Sequence, residues 1–150
     1  MRKMIIVLLA FIGIGMCMTT VTYYSASSLT FMGDHYCRTV ALSHYKKSFY
    51  LLSDGFQKDV MLWEYKEAIK KSPLQRYRSA DWTYRRQDDK TGMIRGVIRT
   101  EEGGHAAVEM SFVYEKKRWK IDQLIIDRHH LRDELHALKR SKERGNVPDS

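Results

Sequence analysis

Between Leu29 and Leu52 the residues Cys37, Val40, Ala41, His44, Ser48, Phe49 and Leu52 recur at steps of three and four. Arg38, Lys46 and Lys47 fall off that stripe. The spacing predicts one long amphipathic helix with a single buried face. Ser53-Asp54-Gly55 is expected to end it, because glycine tolerates the left-handed conformation that terminates helices and Asp54 tolerates a turn. Asp59 is then the expected N-cap of a second, short helix with Met61, Leu62, Tyr65, Ala68 and Ile69 on its buried side. Lys70-Lys71 suits that helix's C-terminal dipole, and Ser72-Pro73 ends it.

Beyond Pro73 the period shortens to two. Residues 78–87 alternate weakly around Trp82 and Tyr84, and 88–92 (DDKTG) read as a turn. In the strand 93–100, Ile94, Gly96 and Ile98 share one face while Arg95 and Arg99 take the other. After Glu101-Glu102-Gly103-Gly104 comes the clearest strand, 105–114. There Val108, Met110, Phe112 and Tyr114 oppose Ala107, Glu109 and Ser111. A turn at 115–118 leads to a fourth strand, 119–126. Connections this short make neighbouring strands antiparallel. The expectation is an α+β domain: a long and a short helix packed on an antiparallel meander of about four strands.

The N-terminus changes the picture. Met1-Arg2-Lys3 precedes eighteen uncharged residues, Met4–Val21, at the lower edge of what spans a bilayer. Positive charge before the run orients the N-terminus to the cytoplasm and the domain to the periplasmic side of the inner membrane. Ser25-Ala26-Ser27 offers the alternative of cleavage and release into the periplasm, whereas Tyr23 and Tyr24 suit an interfacial anchor. The chain then divides into an anchor or signal peptide (1–27), a domain (28–127) and a basic helical or disordered tail (128–150). The tail carries a thin stripe of Leu131, Leu135 and Leu138 and a cluster of Lys139, Arg140, Lys142 and Arg144.

Net charge of +8 over 150 residues raises nucleic acid or anionic membrane as partners. The cations are spread over helices, strands and tail rather than gathered among aromatics, so nucleic acid is not expected. Cys17 ends an apolar run as a lipidated cysteine would, but Met16 stands where a lipidation signal wants a small residue, and packing within the span is preferred. Cys37 is then the one exported thiol, so no internal disulfide can form. No CxxC or HExxH occurs, and the spacing of His129 and His130 to His136 is not one helical turn. Neither a metal nor a cofactor is expected. His44 and Cys37 are read as packing residues.

The order of helix, YLLSDGF break, WEYKEAI helix, tryptophan-led strand and closing hairpin VEMSFVYEKKRWKIDQLII resembles the nuclear transport factor 2-like (cystatin-related cone) superfamily. It is most similar to small exported or membrane-anchored bacterial members, over about residues 35–127. The resemblance implies a curved sheet wrapped by helices around a conical pocket, and either homodimers or a protein partner docked on the sheet face. Phe56, Leu62, Trp63 and Tyr65 are where a pocket rim would lie, with Tyr84 and Glu109 as further lining candidates. Three functions follow as expectations. The first is a non-enzymatic, membrane-anchored envelope module that binds a protein, for example a scaffold of a secretion complex. The second is binding of a small apolar ligand or lipid in the cone. The third is an isomerase- or hydratase-like enzyme drawing on Glu109, His105, Tyr84 and Arg95, which needs a desolvated carboxylate facing a donor.

Overall fold

The computed structural model describes residues 29–127, 129–130 and 140. The apolar run Met4–Val21 with Cys17, the cleavage candidates and the leucine stripe of the tail lie outside those residues. Among the described residues no helix is long and apolar enough to cross a membrane.

The sheet matches the period-two reading. Strands β1 (Tyr77–Gln87), β2 (Thr91–Thr100), β3 (His105–Glu115) and β4 (Arg118–Ile126) pair in sequence order, all antiparallel, and the two-residue β5 (His129–His130) adds to β4. One face carries Ile94, Ile98, Val108, Met110, Phe112, Ile121 and Leu124, all buried. The opposite face carries Arg95, Arg99 and Glu109. Gly96 is needed where β1 and β2 approach, since a Cβ there would run into the Asp81 carbonyl.

Three register shifts break the alternation, the first at Arg78 between the pairs Tyr77–Thr100 and Ser79–Arg99. Thr83 is an extra residue between the pairs Trp82–Gly96 and Tyr84–Arg95. Trp82 therefore points to the helix side and Tyr84 to the outer side, which a strict period of two forbids. Asp122 is the extra residue between Ile121 and Gln123.

The expected long helix is instead broken in two. Helix α1 (residues 29–41) stops at Ser43, whose φ of 60° is left-handed. Ser43 N–H donates to the Val40 carbonyl at 2.8 Å, and His44 N–H to the Thr39 carbonyl at 3.0 Å. This is a Schellman ending with serine where glycine is usual. Helix α2 (Tyr45–Phe49) follows after a change of direction, so His44 is exposed rather than part of the buried stripe.

Ser53 likewise starts a helix rather than ending one. Its Oγ accepts the Phe56 N–H at 3.1 Å, capping α3 (Asp54–Asp59), and donates to Asp122 Oδ1 at 2.7 Å. Gly55 is helical, and Asp59 ends α3 instead of capping the next helix. Met61 takes that place at the start of α4 (Leu62–Lys70), where Glu64 accepts its N–H at 2.9 Å. Met61 is 65% exposed, not buried. A 3₁₀ turn (Pro73–Arg76) then enters β1.

The helices cover one sheet face. Gly33 lets α1 approach, because a Cβ would stand 2.6 Å from Ile94 Cδ1 and 3.1 Å from Trp82 Cζ2. Asp34 locks that contact, its Oδ1 accepting from Tyr77 Oη at 2.8 Å and Trp82 Nε1 at 3.1 Å. The linker before α3 is stitched to β4 on the edge away from β3: Ser53 N–H donates to Ile121 O at 2.7 Å and Ile121 N–H to Leu51 O at 3.0 Å. Asp54 N–H reaches Glu115 Oε1 at 2.7 Å, and the Asp54 carboxylate pairs with Lys116. That lysine holds the Asp54 carboxyl below its ordinary range.

Candidate functional site: a lysine-lined cleft between α2 and α4

The break at Ser43 creates a concavity. Turning the chain there sets α2 beside the N-terminal half of α4 and leaves an open cleft of ≈ 440 Å³ between them. Ser43, His44, Tyr45, Lys46, Lys47, Leu62 and Lys66 line it. Its apolar surface comes from the Tyr45 ring and Leu62, and its charge is entirely cationic.

Tyr45 is held rigidly. Its hydroxyl donates to Gln75 Oε1 at 2.9 Å, and Gln75 Nε2 donates to Ser43 Oγ at 3.0 Å, so the 3₁₀ turn braces the α1–α2 corner. Lys66 and Lys70 place their ammonium groups 5.7 and 6.0 Å from the centre of the Tyr45 ring. Cation–π attraction at this range keeps two long side chains gathered at the rim. Nearby carboxylates are otherwise engaged: Glu67 pairs with Lys70 at 3.6 Å, and Glu64 caps the Met61 N–H. Among the described residues, Lys46, Lys47 and Lys66 face no carboxylate within ion-pair distance.

Below the cleft the helices meet through a buried run of hydroxyls. Tyr65 Oη donates to Ser48 Oγ at 2.8 Å, Ser48 Oγ donates to the Tyr45 carbonyl at 3.0 Å, and Tyr36 Oη lies 2.9 Å from Tyr65 Oη. Burial raises the Tyr65 phenol to about 12 and pushes Tyr36 well above its ordinary value. Every member is satisfied, so the seam is neutral and rigid, giving the cleft a firm base.

The six residues expected at a pocket rim do not converge. Phe56 and Tyr65 are fully buried in the core. Leu62 lines the cleft, while Trp63, one residue on, is 48% exposed. Tyr84 and Glu109 lie across the sheet, on its outer face. There Arg95 gathers them, its guanidinium 5.0 Å from the Tyr84 ring centre and its Nε on Glu109 Oε2. Glu109 thus faces an arginine on a solvated surface, not the core.

Sequence reasoning missed Tyr45, Lys46, Lys47 and Lys66 as a group. The only available signal was the density of lysine in α2 and α4, and nothing local shows that the two runs face each other. Among the described residues no group of three or more His, Cys, Asp or Glu is placed to hold a metal ion.

No protein-family model matches the chain, and no curated protein matches its sequence. Among solved structures, its fold is similar to that of a phospholipid-binding protein from Ralstonia solanacearum in complex with a phospholipid. The two superpose with a TM-score of 0.53 over 80% of this chain and 88% of the other, at 12% sequence identity. At that identity the likeness is one of fold.

Proposed function

We propose that the chain is a phospholipid- or amphiphile-binding module at the extracytoplasmic face of a membrane. The observation that carries the reading is the fold shared with a phospholipid-binding protein across most of both chains. It favours lipid binding over the scaffold role, for which the described residues supply no separate support. The cleft adds chemistry of the right kind, with cations around an apolar floor. The resemblance to nuclear transport factor 2-like domains belongs to the same proposal, since helices wrapped on one face of an antiparallel sheet are its expected layout. So does the run Met4–Val21, which as anchor or cleaved leader delivers the domain to the lipid surface.

The test is extraction. The full chain, purified from membranes in a mild detergent, is expected to carry phospholipid in near-equimolar amount by mass spectrometry. It should also exchange that lipid with labelled vesicles. A chain that carries none and acquires none overturns the reading.

A further inference from the structure

The cleft supports a more specific assignment, which rests on the lipid-binding reading for its biological source of ligand. We infer that Lys46, Lys47 and Lys66 form a phosphate-recognising site, with the Tyr45 ring and Leu62 as the apolar wall for the rest of the ligand.

Several cations elsewhere among the described residues face carboxylates: Arg76 with Glu102, Arg95 with Glu109, Arg99 with Asp81, Lys116 with Asp54. In the cleft three lysines and His44 line one concavity with no carboxylate among the lining residues. Like charges gathered around low-dielectric walls focus a positive potential, and the group that relieves it is a compact anion. A phosphate's several oxygens can accept from more than one ammonium at once, in charge-assisted bonds.

Exposed apolar side chains border the cleft. Leu42 precedes the lining residue Ser43, and Met61 precedes the lining residue Leu62; they are 66% and 65% exposed. Exposed apolar side chains beside a lysine cluster are the pattern of a surface that rests in the headgroup layer, with lysine stems lying along apolar groups and ammonium ends on phosphate. A free phosphate would use the lysines and leave Leu42 and Met61 without a role. A lipid phosphate uses both.

Calorimetric titration of the full chain in neutral detergent tests this, with three probes: dihexanoyl phosphatidylglycerol, inorganic phosphate and dihexanoyl phosphatidylcholine. The variant Lys46→Gln/Lys66→Gln removes cleft charge, and Lys90→Gln/Lys117→Gln removes the same charge from exposed hairpin positions. Phosphatidylglycerol is expected to bind the native chain and the hairpin variant alike, and about tenfold or more weaker to the cleft variant. Lys46→Arg/Lys66→Arg, which keeps the charge, should hold most of the affinity and guards against loss of the fold. Equal weakening in both charge-removing variants would reduce the effect to net charge and overturn the site. Lipid binding indifferent to the cleft variant overturns the site but leaves the lipid-binding reading standing. Inorganic phosphate bound through Lys46 and Lys66, with neither lipid bound, upholds the site and sinks the lipid reading.

Discussion

The outer face of the sheet and the cleft between α2 and α4 are both rich in cations, and they use them in opposite ways. On the sheet, Arg95 stands directly across from Glu109 in the strand register, and Arg99 reaches Asp81 from the neighbouring strand at 2.6 Å. Each arginine there is answered by a carboxylate that the backbone register brings to it. In the cleft, Lys46, Lys47 and Lys66 come from two helices and are answered by a tyrosine ring at most. Paired charges are satisfied within the fold and gain little from a ligand. Unpaired ones repel each other until something anionic arrives. The contrast says which cluster is structural and which is open to a partner, although side-chain counts alone make them look alike.

The largest effect that sharpens this contrast comes from beneath the cleft. Tyr65→Ala removes a fully buried ring and should cost about 3–5 kcal/mol in denaturant unfolding. Tyr65→Phe keeps the packing but leaves Ser48 and Tyr36 each short of one hydrogen bond, at about 1–2 kcal/mol. The second variant also has a pH signature. Because burial raises the folded-state phenol to about 12 from 10.0, the folded chain holds this proton more tightly than the unfolded one. Its contribution is complete below pH 10.0 and is lost as pH rises through about 12. Tyr65→Phe should make the alkaline fall in stability shallower. An unchanged alkaline limb would mean the hydroxyl seam is not closed to water.

Next in size is the outer face. Arg95 and Glu109 are 52% and 25% exposed at the side chain, so solvent screens them. A double-mutant cycle with Arg95→Ala and Glu109→Ala should give a coupling of about 0.2–1 kcal/mol, smaller at high salt. A coupling above about 2 kcal/mol would place the pair in a desolvated environment and reopen Glu109 as a reactive carboxylate.

The sheet was legible in the sequence because β2 and β3 alternate cleanly: Ile94, Gly96 and Ile98 against Arg95 and Arg99, then Val108, Met110 and Phe112 against Glu109 and Ser111. The faces of β1 were not, since the bulge at Thr83 depends on how β2 fits beneath it and shifts Tyr84 to the other side of the sheet. Both helix joints depart from their local sequence signals for one reason. Ser43 takes a conformation normally signalled by glycine, and Gly55, which does carry that signal, sits inside a helix. What fixes Ser53 as a cap is partly Asp122, distant in sequence and brought near only by the sheet. The candidate site follows from these joints. His44 continues the stripe in sequence but is exposed, because the stripe carries no sign of the break at Ser43. Lys46-Lys47 and Lys66 are nineteen or more residues apart in the chain, and only the turn at Ser43 brings them to one cleft.

The smallest effect separates the two clusters most directly, because it concerns sign rather than size. Removing Arg95 takes away an attraction, so it should lower stability slightly, and added salt should shrink the loss. Removing Lys46 takes away repulsion from Lys47 and Lys66 and no ion pair that the described residues show. Lys46→Gln is therefore expected to change stability by no more than about 0.5 kcal/mol, toward stabilisation, in low salt. The gain should vanish as ionic strength rises past about 0.15 M, where screening already relieves the repulsion in the native chain. Thermal melts of both variants across a salt series would show opposite slopes. If Lys46→Gln were destabilising and its loss were screened by salt, a carboxylate must face it in solution. The cleft would then be one more satisfied surface.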